Sequence, residues 1–251
     1  MLETVKSYLK RINTAAVERV GYSITEQLNR VWIKRTFVAA ARRLGYSGPK
    51  KRLPLTVDIL AKIRPEIDFN QHDDRALWAI LCVGVFALTR IGELVPGTGS
   101  KLQVTRGSVE IRGNKGTLHL VGTKTDREMK GVRILFFRNK SACCPVSALV
   151  AYLTARPPSS EKAPLFVDKK GKRLSQSWVV SRMRALLDKI GFAGQDFSGI
   201  SLRRGGAQTL VRLRANDIVM CMGRWTSSCF NRYLTTEESV KRWQQQMAKC
   251  A

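Results

Sequence analysis

The chain has 251 residues, and 44 Lys and Arg against 19 Asp and Glu give it a formal net charge of +25 at pH 7. Its hydrophobic content of 44% excludes the disordered and collagen-like classes, while the positive charge favours a polyanionic partner. The longest apolar run, residues 76–88, is well short of the about 20 residues that a membrane-spanning helix needs, so nucleic acid fits better than a membrane as the partner. We therefore expect an intracellular nucleic-acid-binding protein, which would be nuclear if the host is eukaryotic.

Helical periodicity marks the N-terminal part of the chain, residues 1–47. The pattern predicts two or three helices, which are too few to close a bundle around their own core. The segment 48–56 is basic and contains three prolines and glycines in all. We therefore predict a linker there, followed by one larger domain over residues 57–251.

The larger domain begins with a helix over 56–63 and continues with a helix over 75–88 that is apolar nearly all round, a pattern typical of a buried helix. Asp73 and Asp74 precede this run, at the expected N-cap and first turn. Three β-rich segments separated by turn residues then predict a small antiparallel sheet, at 108–112, 117–121 and 132–137. Helical patterns return at 145–153, 176–190, 202–213, 215–222, 229–234 and 236–249. The expected fold is therefore mainly α with a small antiparallel β-sheet (α+β).

The cysteines show no metal-binding spacing. The chain has six of them without a C-x-x-C pair, and it has only two histidines. We therefore expect reduced structural thiols and no metal.

Three local sequences stand out as candidates for chemistry. TRIGEL, residues 89–94, closes the buried helix, where Arg90 could simply complement the helix dipole. GTKTD, residues 122–126, places Lys124 in the turn between two strands. ISLRRGGA, residues 200–207, is followed by GRWTS at 223–227 and then by Tyr233.

Together these motifs resemble the tyrosine recombinase, or phage integrase, family. In chain order the family's Arg, Lys, Arg, His or Trp, and Tyr correspond to Arg90, Lys124, Arg203, Trp225 and Tyr233. Two segments are most similar to recombinases of DIRS-type retrotransposons and Cryptons: CPVSALVAYL and LRRGGA…GRWTSSCFNRYL. The resemblance begins near residue 51, and residues 1–47 resemble the last helices of the family's core-binding domain.

The resemblance implies DNA strand cleavage and rejoining through a 3′-phosphotyrosyl intermediate. Tyr233 would be the nucleophile, while the guanidinium groups of Arg90 and Arg203 would bind the non-bridging phosphate oxygens. Lys124 would protonate the leaving 5′-oxygen, and Trp225 would donate its indole N–H to the phosphate. Glu93 would orient Arg90. The arginines supply the electrostatic stabilisation, so no metal or other cofactor is expected.

The sequence departs from the family at Ile200, where a His or Lys is expected three residues before the second Arg. Isoleucine can neither accept the tyrosine proton nor bind phosphate. A general base contributes typically about 10²-fold or more to a rate, so the chain is either a working recombinase without this group or a catalytically impaired one. The impaired protein would serve as a nucleic-acid-binding or assembly component.

Further basic residues predict contacts with double-stranded DNA. Outside the catalytic set, they are Lys50, Lys51, Arg52, Arg204 and Arg224. The basic run 169–173 is interpreted by default as a solvated turn, with a phosphate contact or a nuclear localisation signal as the alternatives. The C-terminal helix over 236–249 is expected to dock on a neighbouring copy and so promote self-association on DNA.

Overall fold

The computed structural model describes residues 2–27, 30–45, 51–95, 97, 104–120, 131–213, 219, 223 and 224. The chain divides into two compact units, Met1–Lys51 and Arg52–Ala251. No helix among the described residues is both long and apolar enough to cross a membrane.

The smaller unit contains helices α1 (Leu2–Val20), α2 (Ile24–Gln27) and α3 (Arg30–Arg43). The side-chain oxygen of Asn13 accepts a hydrogen bond from the Thr25 backbone N–H at 2.9 Å, which fixes the turn from α1 into α2. No residue of α3 is buried. The assignment of residues 1–47 to a core-binding remnant stays a prediction.

The larger unit begins with an extended segment that the sequence assigned to the linker. The backbone N–H of Leu53 donates to the Asp196 carbonyl at 2.8 Å, and that of Leu55 donates to the Ser201 carbonyl at 2.9 Å. Leu55 is fully buried. Residues 52–56 therefore pack as part of the larger unit, because their backbone hydrogen bonds and one core side chain hold them there.

Helices α4 (Val57–Ile63) and α5 (His72–Phe86) follow, and then the single turn α6 (Ile91–Leu94). Every residue of α5 between positions 76 and 85 is buried, as its apolar run predicts. The predicted N-cap at Asp73 is wrong, because Gln71 is the N-cap and both aspartates lie in the first turn. There, Asp74 pairs with Arg182 at 2.8 Å.

The sheet has the order β1-β2-β3 and is antiparallel throughout. Its strands are β1 (Val109–Arg112), β2 (Lys115–Leu120) and β3 (Val132–Phe137). Leu118 pairs with Val109 on one side and with Ile134 on the other, and these three buried side chains face the core. Gly113 takes a φ of 56° at the first position of the two-residue loop between β1 and β2, where a tight hairpin favours glycine.

Helices α7 (Pro145–Ala155), α8 (Gln176–Lys189) and α9 (Ile200–Arg212) complete the described part of the larger unit. Ser175 caps α8 by accepting the Trp178 backbone N–H at 3.1 Å. The helices predicted at 229–234 and 236–249, and most of that at 215–222, lie outside the described residues. The predicted fold class, mainly α with a small antiparallel sheet, is confirmed.

Candidate active site

The first arginine of the motif follows a sharp reversal at the end of α5. Leu88 has a φ of 48°, which a side chain rarely adopts, and the Thr89 N–H donates back to the Gly84 carbonyl at 3.2 Å. The Leu88 side chain is 1% exposed, so core packing holds this conformation. The reversal ends α5 and turns the chain toward α6.

Arg90 is the N-cap of α6 and not the last residue of the buried helix, which corrects the predicted position. Its backbone N–H donates to Glu93 Oε2 at 2.8 Å, and its Nη1 donates to Glu93 Oε1 at 2.7 Å. The Arg90 side chain keeps 32% of its surface exposed, against 8% for Glu93. The carboxylate therefore fixes the guanidinium while leaving part of it open to a ligand.

The same carboxylate holds a second guanidinium. Arg224 donates through Nη2 to Glu93 Oε2 at 2.6 Å, and its side chain is 17% exposed. The pKa of Arg224 is lowered overall, and burial is the main cause. The negative charge of Glu93 raises this pKa, whereas the nearby positive charge of Arg90 lowers it further. Two cations thus share one anion, and a further anion would reduce the repulsion between them.

Arg203 lies on α9 and is 1% exposed. Its Nη2 donates a hydrogen bond to the carbonyl oxygen of Gly223, the residue before Arg224. The two motif arginines are therefore connected through intermediate contacts. Arg203 binds the Gly223 carbonyl, the adjacent Arg224 binds Glu93, and Glu93 also binds Arg90.

Two consecutive glycines allow α9 to reach this position. A Cβ on Gly205 would lie 1.7 Å from the Leu55 carbonyl oxygen, and one on Gly206 would lie 2.0 Å from the Val85 carbonyl oxygen. Sequence reasoning did not assign these glycines a role, although a glycine pair inside a helix is a signal of close backbone approach. They bring the backbone of α9, which carries Arg203, against α5 and the extended entry segment.

Ile200 is the first residue of α9 and is 45% exposed. The preceding Gly199 packs so closely on the residue after Arg90 that a Cβ on it would lie 2.3 Å from Cγ2 of Ile91. The position that departs from the family therefore lies beside α6, and its side chain offers neither a base nor a hydrogen-bond donor.

The other predicted DNA contacts have different environments. Arg204 is 7% exposed, so little of its surface is available to a phosphate. Arg52 donates to the Gln195 carbonyl at 2.5 Å, and Lys51 is exposed. Lys50 lies outside the described residues, as do Lys124, Trp225 and Tyr233, so their predicted roles stay predictions.

A second basic surface lies on the outer face of the sheet. A cleft there is lined by Arg106, Arg112, Lys115, His119 and Arg133, with Glu110 and Glu161 as its acidic members. The basic run 169–173 forms a closed turn, in which the Asp168 N–H donates to the Lys172 carbonyl at 2.8 Å and Lys169, Lys170 and Lys172 are exposed.

Within the described part of the chain, no group of three or more His, Cys, Asp or Glu side chains is placed to hold a metal ion. Cys82, Cys143 and Cys144 are buried and carry no disulfide. Arg90 and Arg224 place two guanidinium groups on one carboxylate in the candidate site, and the guanidinium geometry suits an oxyanion.

Solved structures of tyrosine recombinases share this architecture. The XerH site-specific recombinase, bound to its palindromic difH substrate in a post-cleavage complex, superposes with a TM-score of 0.58 at 18% identity, over 79% of this chain and 53% of that one. The XerA recombinase superposes with a TM-score of 0.55 at 19% identity, over 95% of this chain and 81% of that one. This chain has the tyrosine recombinase fold.

No family model matches the chain, and no curated protein matches it. The chain spans about half the length of the XerH recombinase, at 53% and 54% in the post-cleavage and pre-cleavage complexes. The finer resemblance to DIRS-type and Crypton recombinases stays a prediction.

Proposed function

We propose that the chain cleaves and rejoins double-stranded DNA through a 3′-phosphotyrosyl intermediate on Tyr233. The observation that carries the proposal is the shared carboxylate of Glu93, which brings Arg90 and Arg224 together beside the segment that binds Arg203. Clustered guanidinium groups with one counter-ion are suited to a phosphodiester and to the additional charge of its transition state. The recombinase fold supports this use of the cluster.

In the proposed reaction the Tyr233 oxygen attacks the scissile phosphorus. The P–O bond to the tyrosine forms as the bond to the 5′-oxygen breaks. The phenol proton of Tyr233 passes to water, and Lys124 gives the 5′-oxygen its proton. The arginines bind the non-bridging oxygens, on which negative charge increases. Attack by a 5′-hydroxyl reverses these steps and rejoins the strand, so the phosphotyrosyl bond conserves the energy of the phosphodiester.

The decisive experiment traps the covalent intermediate. The protein is incubated with a pool of duplexes that carry a nick just 3′ of a candidate cleavage position, with randomised sequence on both sides. Cleavage releases a short 5′-hydroxyl fragment that diffuses away, so the covalent complex accumulates and is seen on a denaturing gel. Sequencing the trapped DNA then gives the preferred site.

Tyr233→Phe is the matched control, since it removes only the attacking oxygen. We expect a covalent band for the unmodified chain and none for this variant. Equal bands would show that another residue attacks. The absence of a band from both, with DNA binding retained, would favour a recombinase fold that serves in binding or assembly.

Binding to duplex DNA should depend steeply on salt. With a net charge of +25, the chain should neutralise several phosphates and release their counter-ions. We expect a slope of log affinity against log salt concentration of about −5 or steeper. A flat response between low and physiological salt would contradict duplex DNA as the partner.

Self-association on DNA through residues 236–249 is part of the same proposal. Deletion of this segment should leave binding of one protein molecule to DNA intact and abolish higher-order complexes. Native gels of the full chain and the truncated chain at rising protein concentration test this. Identical ladders of complexes would contradict a role of the segment in assembly.

A further inference from the structure

The Arg224 side chain is largely buried next to Arg90, as expected of a residue that binds the reacting phosphate. A DNA-contacting surface arginine is normally well exposed, whereas the Arg224 side chain is 17% exposed and is paired with Glu93 at 2.6 Å. The partner carboxylate is the one that orients Arg90. Arg224 is thus built into the candidate site.

The Arg224 guanidinium has unused donors inside this site. Its Nε and Nη1 are buried and have no hydrogen-bond partner among the described residues, while Nη2 is used by Glu93. Buried polar groups in folded proteins almost always have a partner, and an unpaired donor at a functional site points to a missing acceptor. A phosphate oxygen supplies such an acceptor, and the guanidinium fork matches its geometry.

The backbone holds Arg224 in an unusual conformation. Its φ is 54°, in the left-handed region that side chains rarely adopt. The Gly223 carbonyl immediately before it accepts a hydrogen bond from Arg203. Backbone strain of this kind persists where neighbouring contacts enforce it, and here the contacts come from the site itself.

We propose that Arg224 binds a non-bridging oxygen of the reacting phosphate, as a third guanidinium beside Arg90 and Arg203. The proposal rests on the proposed strand-cleavage function. It transfers the role of the third phosphate donor from Trp225, which the resemblance implied, to Arg224. It also accounts for the shared carboxylate: Arg90 and Arg224 both pair with Glu93, and a bound phosphate adds a second negative charge beside these two guanidinium groups.

The first test compares strand cleavage by Arg224→Gln, Arg224→Lys and Trp225→Phe. The glutamine amide can still donate a hydrogen bond to Glu93, but it lacks the positive charge and the paired N–H donors of the guanidinium group. We expect Arg224→Gln to slow covalent-complex formation by about 10²-fold to 10³-fold, as loss of one oxyanion donor does, and Arg224→Lys to recover part of the rate. Trp225→Phe should lose less than Arg224→Gln, and the opposite ranking would overturn the proposal.

The second test separates phosphate binding from a structural role. A methylphosphonate at the scissile position removes the negative charge that Arg224 would bind. The rate ratio between unmodified chain and Arg224→Gln should therefore shrink to a few-fold on this substrate. An equal ratio on both substrates would mean that Arg224 only supports the fold, and it would overturn the proposal.

The third test does not depend on cleavage. Loss of one phosphate contact should make the salt slope of DNA binding shallower by about 0.9. The matched control is Arg182→Gln, because Arg182 also pairs with a carboxylate, Asp74 at 2.8 Å, but at the other end of α5. We expect the control to keep the slope of the unmodified chain, and an unchanged slope for Arg224→Gln would overturn the proposal.

These tests distinguish the two failures. If the unmodified chain forms no covalent complex but Arg224→Gln still changes the salt slope, strand cleavage is wrong and Arg224 remains a phosphate ligand. If the chain cleaves DNA and Arg224→Gln cleaves it equally fast, strand cleavage stands and the role of Arg224 is wrong.

Discussion

Glu93 contacts Arg90 twice, by accepting the backbone N–H at 2.8 Å through Oε2 and the guanidinium at 2.7 Å through Oε1. One side chain thus caps α6 and orients the arginine that begins it. Because Oε2 also binds Arg224 at 2.6 Å, the carboxylate neutralises part of the charge of two cations.

Glu93→Gln should therefore impair both stability and cleavage. The variant leaves two partly buried guanidinium groups without their anion, which should lower the free energy of unfolding by about 2–3 kcal/mol, less than for a fully buried pair because Arg90 is partly exposed. Chemical denaturation measures this loss, and the covalent trap measures cleavage. Glu66→Gln is the control: its ion pair with Lys189, at 3.8 Å, is solvent-exposed and should contribute less than about 1 kcal/mol. Equal stability of the two variants would contradict the role of Glu93.

The glycines of α9 should be intolerant of a methyl group. Gly206→Ala would place a Cβ 2.0 Å from a backbone oxygen of α5, so α9 must shift, and we expect a loss of about 3 kcal/mol or more in the free energy of unfolding. Gly84→Ala is the graded comparison, because its Cβ would meet the flexible Leu202 side chain at 2.8 Å. Its loss should be about 1 kcal/mol. The reverse ranking in thermal or chemical denaturation would contradict the packing of α9 on α5.

Ile200→His should restore a general base. The position is 45% exposed and lies at the start of α9, so a histidine can be accommodated without disturbing the core. We expect cleavage to rise by about 10²-fold, less whatever another group already supplies. The gain should be small at acidic pH and increase as pH rises through about 6.5, because only the neutral imidazole accepts a proton.

The control for this gain is Leu213→His, at the exposed C-cap of the same helix. It adds an equivalent titratable group away from α6 and should leave the rate unchanged. If Ile200→His and the unmodified chain are equally inactive while DNA binding persists, the catalytic interpretation is wrong.

Stability should decrease at alkaline pH because of Cys82. Burial raises the pKa of its thiol well above the ordinary value, so the folded chain retains a proton that the unfolded chain loses. The contribution is complete below about pH 8.5 and is lost as pH rises, by up to about 1.4 kcal/mol per pH unit. Denaturation of Cys82→Ala should show a shallower decline between pH 8.5 and 10, despite its lower stability throughout.

Cys144→Ala should show the opposite effect. Burial alone would raise the pKa of Cys144, but hydrogen bonds from Ser147 and from backbone N–H groups lower it overall. Its thiolate therefore stabilises the folded chain as pH rises, and removing it should steepen the alkaline decline. Similar pH profiles for the two variants would contradict the assignment of the raised pKa to Cys82.

The sequence by itself determined the elements of this protein. The uninterrupted apolar run of α5 required burial on all sides, the β-rich segments formed β1, β2 and β3 within two residues of their predicted bounds, and Ser175 and Thr56 capped the helices that follow them. These features depend on periodicity and on hydrogen bonds between residues three or four positions apart, so a short stretch of sequence contains all of the necessary information.

Only the tertiary structure decided which arginines belong together. Arg203 and Arg204 are adjacent and both buried, and nothing local shows that the first binds the Gly223 carbonyl. Glu93 meets Arg90 three positions away, a contact that the motif suggested, but it meets Arg224 across 131 positions. That second contact requires α9 to pack on α5 through Gly206, and such packing depends on the shapes of surfaces that the chain brings together only when it folds.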